Sequence, residues 1–204
     1  DQIVLRANGG RGLRRALPVI DNIGVLSTGK AFAGAYSDHL LEDAWTFGGN
    51  ATFYLPFGAS DDTYLSFDYF GTRFAEQMVV DYEHGLNAID FYALGGKRSY
   101  SNNYQVDFNV EAFRRFTVSA TFRYTDAMVE LEGWGLVERP MTSRYKGVLN
   151  LQYATNLNKW IFDFTASANG PCKVWDIMKD KYPSGYTETY PLLYAQVTRR
   201  FKGF

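Results

Sequence analysis

The sequence predicts an all-β protein: a portion of an antiparallel transmembrane β-barrel, about eight strands with short turns at one end and long loops at the other. Three observations predict it. Trp45, Phe47, Gly49, Ala51, Phe53 and Leu55 share one parity, and Thr46, Gly48, Asn50, Thr52 and Tyr54 share the other. A strand sends successive side chains to opposite faces, so this run has an apolar face and a polar face. A turn-rich break from Pro56 to Asp62 then leads into a second alternation, Leu65, Phe67 and Tyr69 against Ser66 and Asp68. Two alternating runs around such a turn form a β-hairpin. Finally, the connections alternate between short and long along much of the chain.

Taken in order, the chain opens with a strand near Ile3-Val4-Leu5 and a glycine-rich run, Gly9-Gly10-Arg11-Gly12. That run lacks the Gly-Lys-Ser/Thr ending of a phosphate loop, and no helical pattern follows it. Its glycines suit close approach of one chain segment to another. Residues 16–43 read as a long connection. Strands are expected over 44–57 and about 62–80, the second longer than an ordinary soluble strand. After a modest link at 81–87, residues 88–110 are strand-like with an interruption at Gly95-Gly96-Lys97. A short turn at 111–115 precedes a run in which Phe116, Val118, Ala120, Phe122 and Tyr124 alternate with polar residues. A long connection covers about 127–143. Tyr145, Gly147, Leu149, Leu151 and Tyr153 alternate next, and a short turn at 155–159 leads to Trp160, Phe162, Phe164, Ala166 and Ala168. A turn-rich connection at 170–188 precedes the last run, Leu193, Ala195 and Val197.

Composition narrows the classes. The net charge of −1 argues against a nucleic-acid binder, and 17% of residues are aromatic. A run of eighteen apolar residues, which a membrane-spanning helix needs, does not occur, but a membrane barrel is apolar on one parity only. The one cysteine, Cys172, forms no internal disulfide framework and has no activating pair nearby in sequence. The polar parity, carrying Asn50, Asp68, Asn103, Gln105, Asp107, Arg123, Asn150, Gln152 and Asp163, fits any amphipathic sheet with one solvated face. Two features favour lipid on the other face. Small residues (Gly49, Ala51, Ala120, Gly147, Ala166) stand there among aromatics, where a soluble sheet core favours branched aliphatics. Aromatics also gather near strand ends (Trp45, Phe57, Tyr104, Phe116, Tyr124, Tyr145, Tyr153, Trp160), as interfacial girdles require.

The wording of several stretches resembles the barrel of TonB-dependent outer-membrane receptors, particularly those of the Bacteroides type. They are Leu41 to Phe57, Ser66-Phe67-Asp68-Tyr69-Phe70, Ser99 to Asp107, Phe122 to Asp126, Arg144 to Asn156, Lys159 to Thr165, Gly170-Pro171 and Ala195 to Gly203. Gly10-Arg11-Gly12-Leu13-Arg14 is similar to the family's Gly-Arg-Gly-aromatic-Arg run, with Leu13 in the aromatic position. The resemblance covers nearly the whole chain and implies a bacterial outer-membrane location. It also implies a barrel of about 22 strands with a plugged lumen, importing a scarce nutrient such as a metal chelate, cobalamin or a glycan. Residues 1–204 then form one barrel-wall segment from the C-terminal half. The plug, the remaining strands and the segment that meets TonB are not among them, and the Lys202-Gly203-Phe204 ending is expected to be a truncation. The implied partners are outer-membrane lipid, TonB through the plug, and a small nutrient, with no nucleic acid and no cofactor.

Candidate ligand contacts lie in the long and modest connections: His39, His84, Trp134, Trp175, Tyr182 and Tyr186. Aromatics there suit stacking on a sugar or planar ligand. The histidines lack partner ligands at metal-binding spacing, so no metal site is expected. The nine polar-parity residues named above are expected to face the lumen. No catalytic set is expected: Asp126, Glu130, Glu132 and Glu138 are acids without a neighbouring histidine in sequence. An eight-stranded barrel binding a small ligand, soluble or in the membrane, and an outer-membrane barrel enzyme are the rival classes.

Overall fold

The computed structural model describes residues 2–24, 29–34, 40–60, 62–83 and 87–201. The strands are β1 (Ile3–Arg15), β2 (Ala31–Ala33), β3 (Leu41–Tyr54), β4 (Tyr64–Glu76), β5 (Met78–Asp81), β6 (Ala88–Ala93), β7 (Ser99–Phe113), β8 (Phe116–Leu131), β9 (Gly135–Glu138), β10 (Tyr145–Ala154), β11 (Trp160–Asn169) and β12 (Tyr190–Arg199). The main sheet runs β1-β3-β4-β7-β8-β10-β11-β12, with β9 paired to the end of β8. Successive strands along this path pair antiparallel throughout. The sheet is open, with β1 and β12 as its two edges. A closed eight-stranded barrel, one of the rival classes, is therefore not formed.

The alternation of connections holds. The links at 55–63, 114–115 and 155–159 are short and share one end of the sheet; those at 16–40, 77–98, 132–144 and 170–189 are long and share the other. The short turns are held by specific contacts. Thr63 is fully buried and donates to the Phe57 carbonyl at 2.7 Å, inside the turn where Gly58 adopts φ +100°.

The structure corrects several strand boundaries. The run over 62–80 is two strands, β4 and β5, that part at Gln77. Gln77 is buried, and its side-chain oxygen accepts a hydrogen bond from Ser99 Oγ at 2.8 Å. The run over 88–110 is likewise two strands, β6 and β7, separated at Gly95 and Gly96, both with positive φ. The modest link is thus part of a long connection whose β5 and β6 join β2, from the 16–40 connection, in a separate three-stranded sheet, β2-β6-β5. At the N-terminus, β1 continues through the glycine run to Arg15, so those glycines are strand residues and no phosphate loop forms. Part of the 127–143 connection is regular as well: β8 extends to Leu131 and forms a hairpin with β9. The sequence pattern misses the β8 extension because the apolar parity switches there: Ala127, Val129 and Leu131 take the side that Thr121, Arg123 and Thr125 occupy earlier in the strand.

Two buried clusters lie at the long-connection end. One joins Ala16, Met78, Ile89 and Phe91; the other joins Val79, Tyr92, Leu94, Val129 and Leu131. The small sheet packs there against the extended end of β8. Elsewhere the apolar face of the main sheet is open, with Phe67, Phe122, Phe162, Leu193 and Val197 all exposed. A soluble sheet buries such a face against a second layer; this one carries no layer among the described residues.

Candidate functional site

Register decides which side chains meet. Asn50 stands opposite Asp68, Asp68 opposite Gln105, Gln105 opposite Arg123, and Arg123 opposite Lys146. Asn103, Asp107, Asn150, Gln152 and Asp163 fall on the same face by the two-residue period. All nine polar residues singled out in the sequence therefore share one side of the sheet. They pair across strands. Asn50 Nδ2 donates to Asp68 at 2.7 Å and to Ser66 at 2.8 Å. Thr121 Oγ1 and Gln105 Nε2 donate to the two oxygens of Asp107 at 2.6 and 2.8 Å. Thr125 donates to Asn103, Asn150 to Thr165, and Gln152 to Asp163. Among the described residues no buried side-chain polar atom lacks a partner.

The opposite face is banded. Tyr69, Tyr104, Tyr124 and Tyr145 stand opposite one another across β4, β7, β8 and β10. Ring centroids are 5.1 Å apart for Tyr69–Tyr104 and 6.4 Å for Tyr104–Tyr124. Toward the short turns a second aromatic row contains Phe113, Phe116, Tyr153 and Phe162. Between the rows lie Phe67, Val106, Phe122, Leu149, Ala166 and Leu193. From Tyr145 to Tyr153 along β10 the rise is about 27 Å at about 3.4 Å per residue. At the strand tilt of a membrane barrel, about 35–45°, this spans about 19–22 Å of height, close to the apolar band of about 25 Å between its aromatic girdles.

At the long-connection end the polar face opens into a cavity of about 480 Å³. Met78, Val79 and Val80 of β5, Val129 and Leu131 of β8, and Pro140, Met141, Trp175, Ile177 and Met178 of the connections line it, with Arg139. Two further cavities of about 400 Å³ each also have Arg139 in their walls. The Arg139 amide donates to the Ala127 carbonyl at 2.8 Å, which continues the β8–β9 ladder and places Arg139 on the polar face.

The predicted loop residues separate. Trp175 lines the cavity and packs on Tyr82 with centroids 5.0 Å apart. Next to it both Glu83 carboxylate oxygens accept the Asp176 amide, at 2.9 and 2.8 Å, latching two long connections together. Burial raises the Glu83 carboxyl above its usual range, although the Asp176 amide works against that shift. Tyr186 instead joins an ion pair: its hydroxyl donates to Glu138 Oε2 at 2.9 Å, and Arg144 forks onto the same carboxylate at 3.0 and 2.7 Å. Burial works against the Glu138 carboxylate, but the Arg144 and Tyr186 hydrogen bonds outweigh it and hold its pKa below the usual range. Trp134 is exposed at the tip of the β8–β9 hairpin, and Tyr182 packs under Lys181; neither lines the cavity. His39 and His84 lie outside the described residues.

The acids considered for catalysis are dispersed among separate partners: Asp126 accepts from Asn102, Glu130 pairs with Arg98, and Glu138 pairs with Arg144. Among the described residues no three His, Cys, Asp or Glu side chains gather as a metal site. Arg139 and the cavity methionines escaped sequence reasoning. They sit in or beside irregular connections, where no periodicity marks them.

No family model and no curated protein matches the chain. Among solved structures it is similar to the ferric enterobactin receptor PfeA, crystallised in complex with BCV-L6, with a TM-score of 0.65 and 13% identity. The sheet has the fold of a β-barrel wall. The match covers 99% of this chain, which spans only 31% of that receptor.

Proposed function

We propose that this chain is a wall segment of a TonB-dependent outer-membrane receptor that imports a small nutrient. The observation that carries this reading is the two-faced sheet: a bare apolar band between two aromatic rows, backed by a polar face whose side chains pair across strands. In lipid the band is solvated by acyl chains, and the polar face lines a lumen. The similarity to PfeA supports the same architecture. A metal chelate, a cobalamin or a glycan is the substrate range of this reading; Trp175, the other loop aromatics and the two histidines are its candidate contacts. Bacteroides-type membership rests on the sequence wording. The nine polar-face residues line the lumen, and the chain works as a carrier rather than an enzyme.

The unpaired edges of β1 and β12 set a further requirement. Each backbone amide or carbonyl left without a partner in hydrocarbon costs several kcal/mol. On this reading residues 1–204 work with further strands that cover the two edges, and the family resemblance adds a plug through which TonB acts. Residues 1–204 expressed alone and refolded in detergent micelles are expected to aggregate or pair edge to edge between chains. A monodisperse, heat-resistant monomer with β1 paired to β12 would overturn this requirement.

A further inference from the structure

Resting on the receptor reading, we propose that the cavity beside Trp175 binds a small organic anion whose apolar or aromatic body fills the cavity and whose acidic group pairs with Arg139. At about 480 Å³ the cavity falls within the range of small-molecule sites, about 300–1,000 Å³. Its walls are chiefly apolar, and the thioethers of Met78, Met141 and Met178 can conform to an irregular ligand. Trp175, packed on Tyr82, supplies a flat surface for a ring.

The charge pattern selects an anion. Among the described lining residues Arg139 is the one ionised side chain. Its guanidinium has no ion pair and no hydrogen bond among the described residues. Several other arginines of this end are occupied: Arg11 by Asp43, Arg14 by Glu42 and Asp21, Arg98 by Glu130, and Arg144 by Glu138. The acids of the adjoining cavity, Asp21 and Glu42, are thus already held by Arg14. The exposed guanidinium at the edge of an apolar cavity offers two parallel donors to a carboxylate. A neutral ligand of the same shape gains the apolar contacts alone.

The test uses the full native chain in detergent, with 1-naphthoate and its neutral analogue 1-naphthamide as probes. Binding is followed by tryptophan fluorescence, with Trp175→Phe identifying the signal of the site. Naphthoate is expected to bind saturably and more tightly than naphthamide. Arg139→Gln is expected to weaken naphthoate by about 2- to 5-fold, the weight of a solvent-exposed charge pair, and to leave naphthamide unchanged. Equal affinity for the two probes, an unchanged naphthoate affinity in Arg139→Gln, or no saturable signal would overturn the proposal. Outer-membrane fractionation of the same proteins tests the receptor reading separately. A membrane-inserted protein blind to naphthoate defeats the site alone, whereas a soluble protein that binds it through Arg139 defeats the wall alone.

Discussion

Placing an arginine at Leu149 tests the assignment of the two faces. Leu149 lies midway between the two aromatic rows, about 13 Å along β10 from both Tyr145 and Tyr153 at about 3.3 Å per residue. Its cross-strand neighbours are Ala120 and Ala166, and 38% of its surface is open. If that surface meets acyl chains at mid-membrane, Leu149→Arg costs about 2–4 kcal/mol. At 1.4 kcal/mol per tenfold, this corresponds to about 30- to 700-fold in the folding equilibrium. The adjacent control is Asn150→Arg, on the polar face. It gives up one hydrogen bond to Thr165 Oγ1, about 1 kcal/mol, and puts its charge into water. Both variants belong in the full native chain, with folding into liposomes measured by urea titration. A Leu149→Arg cost exceeding that of Asn150→Arg by 1 kcal/mol or more is expected. Equal costs, or the reverse order, would refute the parity assignment.

Glycine substitutions on the two parities should separate as well. A Cβ at Gly71 would stand 2.5 Å from the Phe47 ring, so Gly71→Val is expected to cost about 1–3 kcal/mol in the same titration. Gly12→Val, with open space around it, is expected to cost less than half as much. Thr121→Val removes a donor to Asp107, and a loss of about 1 kcal/mol is expected. The Glu138 carboxyl is held below its ordinary pKa, so its contribution is complete above the unfolded value, near pH 4.3, and is lost as pH falls through the folded value. The stability difference between the native chain and Glu138→Gln should therefore be constant from neutral pH down to about pH 5 and shrink in more acid solution; a difference that grows on acidification would refute the Arg144–Glu138–Tyr186 contact.

The wall was legible because period-two alternation is a direct image of a sheet with unlike faces. The parity assigned to Asn50, Asp68, Gln105 and Arg123 is the one that the register produces. The connection lengths marked the two ends for a similar reason, since a hairpin needs few residues and an elaborated loop many. The long-connection end was less legible. Around Gln77 the alternation runs on from β4 into β5 while the backbone leaves the main sheet, so one run hides two strands. Past Thr125, β8 continues as Ala127, Val129 and Leu131, because there it packs against β5 and β6 instead of facing an open polar surface. Trp175 was identifiable as a loop aromatic, but its union with Tyr82, Met78 and Arg139 depends on long connections folding over one another. Nothing local encodes that meeting.

The central claim is that the apolar face of this sheet meets lipid and its polar face meets water. Nitroxide labels placed singly at residues 146 to 153 and 161 to 168 of the native chain, in the outer membrane, test it most directly. Collision rates with oxygen, which partitions into lipid, and with a water-soluble nickel chelate are then compared. Oxygen accessibility should peak at 147, 149, 151, 162, 164 and 166, and nickel accessibility at 146, 150, 152, 163 and 165. The opposite phase, or no period of two, would contradict the account.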